Sequence, residues 1–150
     1  MSELDDLYQE VILDHNKRPR NRGEMTDADR QARGYNPFCG DRVTVFLKIK
    51  DGIVHEVRFE GSGCAISTAS ASLMTECVKG RTLEEAKAMF AKFHGLVTGE
   101  PVETSEGPDL GKLEVFSGVC KYPARVKCAT LAWHTVKAAI ENGDETVSTE

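Results

Sequence analysis

Residues 42 to 60 constrain the fold more than any other stretch of this chain. Val43, Val45, Leu47 and Ile49 alternate with Arg42, Thr44, Phe46 and Lys48, the two-residue period of a strand with one buried face. A second strand carries Ile53, Val57 and Phe59, with Lys50-Asp51-Gly52 between the two. The chain therefore builds a hairpin and has to cover one side of it. A two-residue Asp-Gly loop would set Val45 opposite Arg58 and Leu47 opposite Glu56. A three-residue loop with Gly52 left-handed sets Val45 opposite Val57 and Val43 opposite Phe59. The second register keeps the apolar residues together and is the one expected.

Helical patterns supply the cover. Ser2, Glu3 and Asp5 open a first helix whose Leu4, Leu7, Tyr8, Val11 and Ile12 form one apolar stripe, ending near His15-Asn16. Residues 16 to 38 are polar and read as a long loop with a helical turn near Thr26 to Gln31. Gly61-Ser62-Gly63 is expected to break the second strand. After Cys64 comes "AISTASASLMTECVKG", a helix of small residues that lets its axis approach the sheet closely, stopped at Gly80. Thr82 and Glu85 form a capping box for a helix that ends at Gly95. Residues 95 to 111 are rich in Gly, Pro and acids and read as loop, and "LGKLEVFSGV" fits no single period. "YPAR" reads as a turn, Val126 to Glu141 as a final helix closed by Asn142-Gly143, and the last residues are expected to fray. There are no internal repeats and no dividing linker. With 150 residues, 40% of them hydrophobic, residues 1–150 are expected to form one domain.

Charge and cysteine usage narrow the function. The chain has 19 basic and 24 acidic residues, a net charge of −5. Its one basic cluster, Lys17-Arg18-Pro19-Arg20 with Arg22, reads as a solvated turn, so no nucleic-acid partner is expected. No apolar run approaches the ~20 residues of a membrane span, and no membrane partner is expected. The N-terminal "MSELDDLYQEV" is acidic and amphipathic, unlike a secretory leader, and a cytoplasmic location is expected. Five cysteines, an odd number in a reducing compartment, argue for reactive thiols or metal ligands over disulfides.

Three of the five stand out. Cys39 lies in a loop before the first hairpin strand, Cys64 at a strand-to-helix junction, and Cys128 in what reads as the first turn of the last helix. Helix N-termini favour thiolate, the form that binds zinc or iron and attacks sulfur. Cys77 lies on the helix that follows Cys64, roughly 20 Å away along its axis, and reads as a small buried hydrophobe. Cys120 stands across a Pro turn from Cys128. Three thiolates and one further donor make a tetrahedral site. Asp41, two residues after Cys39, is the candidate; the same aspartate equally suits an Asx-type turn bond. There is no CxxC pair. None of His15, His55, His94 and His134 adjoins the three cysteines, and each reads as structural.

The stretches "LYQEVILDHNKRPRN", "NPFCGDRV", "GSGCAISTASASLMTECVKG" and "RVKCATLAW" together resemble the U-type iron–sulfur cluster assembly proteins, the family of SufU, IscU and the N-terminal domain of NifU, and its SufU branch most closely. They cover nearly the whole chain in the family's order. The resemblance implies an α+β fold: a small antiparallel β-sheet of about three strands with helices packed on one face and three cysteines converging at one exposed end. It implies zinc held by Cys39, Asp41, Cys64 and Cys128. It also implies a PLP-dependent cysteine desulfurase of the SufS type as partner, passing persulfide sulfur to Cys39, with downstream iron–sulfur scaffold proteins as further partners. The chain departs from the IscU pattern at Lys127, where that branch has histidine, and at "YPARVK", where it has a chaperone-binding LPPVK stretch. The segment around residues 95 to 115 is a SufU-like insertion.

On this reading zinc keeps the thiolates unoxidised, and docking frees Cys39 when a partner side chain, a histidine by its chemistry, takes a coordination place. Gly40 permits the swing. Arg125 and Lys127 flank the site, either favouring thiolate and contacting the partner or standing as plain surface charges. The alternative function is a scaffold on which a [2Fe–2S] cluster is built on the same ligands and handed on.

Overall fold

The computed structural model describes residues 3–37, 40–99, 113, 116, 122–141 and 145–148. In chain order the elements are α1 (Glu3–Lys17), β1 (Arg30–Asn36), β2 (Asp41–Lys50), β3 (Ile53–Ser62), α2 (Ala65–Val78), α3 (Leu83–Thr98), α4 (Pro123–Glu141) and β4 (Glu145–Ser148). The sheet order is β3-β2-β1-β4. The first three strands are antiparallel neighbours, and the short β4 adds in parallel to β1. This is the expected α+β fold, with one parallel edge strand where a frayed end was expected.

The hairpin forms, with a register the sequence reading did not anticipate. Its turn is the tight Asp51-Gly52 pair, both left-handed (φ 54° and 74°), closed by Lys50 opposite Ile53. By itself that turn would set apolar residues against charged ones. A bulge between Lys48 and Ile49 shifts the pairing, so that Leu47 faces Val57 and Val45 faces Phe59. His55 is the extra residue, and it allows Val54 and Val57 to be buried together despite their odd spacing.

The loop expected over residues 16 to 38 instead contains β1. Its inward row is Ala32, Gly34 and Asn36, all buried, while Arg33 and Tyr35 point outward. Beside it, β2 turns Asp41, Val43, Val45 and Leu47 inward. Helix α4 lies directly on this surface. A Cβ on Gly34 would fall 2.0 Å from Thr135 Oγ1, so only a residue without a side chain admits the helix there. Helix α2 approaches α4 through its small residues, with Ser70 Oγ donating to the Ala129 carbonyl. Trp133 of α4 stacks on Phe93 of α3 at 4.8 Å, and Phe116 meets Phe93 edge-on. The other face of the sheet carries exposed Arg33, Tyr35 and Arg42 and half-buried Thr44 and Phe46.

Three further boundaries differ from expectation. β3 runs through Gly61 to Ser62 before the chain turns at Gly63. α3 passes Gly95 and ends at Thr98, capped by left-handed Gly99, and its Thr82/Glu85 capping box is present as expected. α4 begins at Pro123, because Pro suits the first helical position, where no N–H is needed. The basic loop after α1 is not merely solvated. It is tied to α2: the Arg20 backbone N–H donates to Ser72 Oγ at 2.8 Å, and the Asn21 side-chain Nδ2 to Thr75 Oγ1 at 3.1 Å. Buried His15 shares Ser72 through Nδ1 at 2.7 Å, the structural role expected of it. Among the described residues, no helix is long and apolar enough to cross a membrane.

Candidate metal centre

The inward rows of β1 and β2 change character at one end of the sheet. Aliphatic side chains give way to Asn36 and Asp41, which face each other as register partners and are both fully buried. A carboxylate so placed needs hydrogen-bond donors. Asp41 Oδ1 receives the Cys64 backbone N–H at 2.9 Å. That bond spans two strands of sequence, so the carboxylate links β2 to the start of α2. Gly63 makes room for it, since a Cβ there would lie 2.7 Å from Asp41 Oδ1.

Cys64 is the N-cap of α2, with extended backbone (φ −69°, ψ 168°), and its Sγ accepts the Ser67 N–H at 3.4 Å. Its thiol pKa is lowered from 9.0 to about 6, first by a hydrogen bond with the Cys128 side chain and then by the backbone N–H groups of Ser67 and Ile66. Burial and the charge of Asp41 oppose the shift. Cys128 is buried in the second turn of α4, because the helix starts three residues earlier than expected. It lies beyond the free N–H groups of the first turn. Asn36 Nδ2 stands 3.7 Å from its sulfur.

Asp41, Cys64 and Cys128 each offer a donor atom, and these atoms lie within 4.8 Å of one another. Cys64 Sγ and Asp41 Oδ2 are 3.9 Å apart. Some point therefore lies within roughly 2.8 Å of all three, against zinc bonds of about 2.3 Å to sulfur and about 2.0–2.2 Å to oxygen, so contraction by a fraction of an ångström closes the set. Two soft thiolates and a hard carboxylate form a donor set zinc accepts. Cys39 and Cys120 lie outside the described residues. Gly40, next to Cys39, has φ 70°. Cys77 is half-buried against the core, apart from this cluster.

Of the four expected ligands the structure brings Asp41, Cys64 and Cys128 together, and two further residues near them carried no sequence signal. Asn36 donates to both Asp41 and Cys128. Tyr8, assigned only to an apolar stripe, has a buried hydroxyl without a hydrogen-bond partner among the described residues. Burial raises its pKa, the positive Arg125 lowers it, and Cys64 and Cys128 raise it further. Arg125 is exposed, with its guanidinium 4.5 Å over the Tyr122 ring, and Lys127 is half-buried one residue before Cys128. On the β1–β2 side Arg42 covers Tyr35 at 5.6 Å.

Fold and site together define an α+β protein that gathers thiols and a carboxylate at one end of its sheet. The chain belongs to the NifU-like N-terminal domain family, whose model matches residues 7–129. It is 44% identical over 137 residues to a Bacillus subtilis protein named zinc-dependent sulfurtransferase SufU, covering 91% of each chain. It is 40% identical over 141 residues to a Streptococcus pyogenes protein named iron–sulfur cluster assembly scaffold protein IscU, covering 94% of this chain and 87% of that one. A crystal structure from Fervidobacterium islandicum, described as an assembly scaffold protein for the SUF system, superposes with a TM-score of 0.81 at 35% identity. That match covers 91% of this chain and 98% of that one.

Proposed function

We propose that this protein is a zinc-dependent sulfur carrier of iron–sulfur cluster assembly. It accepts sulfur on Cys39 from a PLP-dependent cysteine desulfurase of the SufS type, in the cytoplasm, and residues 1–150 act as one domain. The observation that carries the reading is the convergence of Asp41, Cys64 and Cys128 from three separate elements. The likeness to the Bacillus subtilis sulfurtransferase supports zinc as the metal and sulfur as the cargo. Cys39, two residues before Asp41, supplies the fourth ligand.

Bound zinc holds thiolates without oxidising them and keeps them from pairing with one another. The protein's own residues do the rest. Cys64 and Cys128 are fixed by helices, and Asp41 by its bond to the Cys64 N–H. Cys39 sits beside a glycine in a left-handed conformation, which suits a residue that has to move. The Cys39 thiolate attacks the outer sulfur of the desulfurase's cysteine persulfide. A sulfur–sulfur bond forms at Cys39, the partner's bond breaks, and the partner's cysteine leaves as thiolate. Arg42 on Tyr35 and Arg125 on Tyr122 flank the cluster with exposed aromatic and cationic surface, which supports docking of an acidic partner face. Lys127 adds to that charge.

A second reading, a scaffold for a [2Fe–2S] cluster on the same ligands, is favoured by the relatives named as scaffold proteins. Two measurements decide. Cys39→Ala is expected to abolish stimulation of desulfurase turnover at saturating cysteine; undiminished stimulation removes Cys39 from the acceptor role. The purified protein is expected to hold one equivalent of zinc and to lose most of it in Asp41→Ala. A transferable cluster after anaerobic reconstitution, with zinc readily displaced, would favour the scaffold.

A further inference from the structure

We infer that Asn36 is a positioning residue for the metal ligands, its side-chain amide holding Asp41 and Cys128 in place together. The inference rests on the zinc site proposed above. Asn36 Nδ2 lies 3.4 Å from Asp41 Oδ2 and 3.7 Å from Cys128 Sγ. The two hydrogens of an amide nitrogen diverge, so one group serves both acceptors. The amide orientation is forced, because its oxygen in that place would face a carboxylate oxygen and a sulfur, neither of which donates in the metal-binding state.

The charge of the site explains why such a donor is present. Three thiolates and a carboxylate around a divalent cation leave a net charge of −2 at a largely buried position. Anionic ligands away from water need hydrogen-bond donors around them. Backbone N–H groups serve Asp41 Oδ1 and Cys64 Sγ. Asn36 donates to the second Asp41 oxygen, Oδ2, and to Cys128 Sγ. Its place in the fold suits the task. It is the last inward residue of β1, the register partner of Asp41, and fully buried. The residue therefore ties a ligand on the sheet to a ligand on α4.

The test is zinc affinity by chelator competition in Asn36→Ala, Asn36→Ser and Asn36→Asp, together with the visible spectrum of the cobalt(II)-substituted proteins. Asn36→Ala is expected to weaken zinc about 10–100-fold and to shift the cobalt bands. Asn36→Ser, which keeps one donor, recovers part of the loss, and Asn36→Asp, which sets a carboxylate against two anionic ligands, loses most. Thermal midpoints of metal-free and zinc-loaded forms separate positioning from packing. Positioning narrows the gap between the two forms, whereas packing alone lowers both equally. Unchanged affinity and cobalt spectra in Asn36→Asp, the variant closest in size and the one that sets charge against both ligands, overturn the inference even if Asn36→Ala fails to fold. If the unaltered protein takes up no zinc, the metal reading itself falls, and that result is distinct from a wild-type site indifferent to position 36.

Discussion

Gly63 decides how near Cys64 comes to Asp41. Any β-carbon at that position would press on the carboxylate oxygen that receives the Cys64 N–H. Gly63→Ala is therefore expected to push Asp41 away from the α2 N-terminus while leaving the core untouched. Zinc affinity should fall about 10-fold or more, with a far smaller change in metal-free stability, as chelator competition and thermal melting will show. Single residues also mark what the sequence disclosed of the site. Cys64 was recognisable as a thiol at a helix start and Asp41 as a carboxylate close to Cys39, whereas Cys128, expected in a first turn, lies in the second turn of α4. Asn36 was not recognisable, because its stretch carries no apolar alternation to reveal an inward row. Tyr8 was hidden in the opposite way: it fits an apolar stripe, and only the packed structure shows its hydroxyl buried and within electrostatic reach of Cys64 and Cys128.

At the scale of elements, legibility followed side-chain size. The hairpin and α3 announce themselves through large apolar residues at a fixed period and a capping box. β1 does not, because α4 packs so closely that the strand's inward residues are Ala32, Gly34 and Asn36. A strand that holds its partner by having almost no side chains leaves no hydrophobic period to read. The bulge at His55 was equally silent, since a one-residue slip is a compromise between a tight turn and the burial of both strands. β4 pairs with β1 across most of the chain length, beyond any local signal. The close β1–α4 contact gives a prediction. Gly34→Ala is expected to cost about 1–3 kcal/mol of stability by overpacking, measured by denaturant unfolding. Adding Thr135→Ala, which removes the nearest atom, should recover a substantial part of that loss, a non-additivity expected of residues in contact.

For the molecule as a whole, the contrast lies between its average charge and its charge beside the thiols. The chain carries −5 overall, yet Arg42 and Arg125 stand at the end of the sheet, each over an exposed tyrosine. Aromatic and arginine side chains are the residues most often found to dominate binding energy. Arg42→Ala and Arg125→Ala are each expected to raise the concentration needed for half-maximal desulfurase stimulation about 5- to 30-fold, leaving zinc content unchanged. The effect should shrink as ionic strength rises. Equal stimulation at every salt concentration would place the docking face elsewhere.

Asp41, Cys64 and Cys128 reach one another only through the finished architecture, the first from a strand, the second from a helix start and the third from a helix near the far end of the polypeptide. A chain still emerging from the ribosome, with α4 unmade, presents scattered donors that grip an ion weakly. Capture of the metal thus comes after completion of the fold, and truncated or misassembled copies are left without the cargo-handling centre.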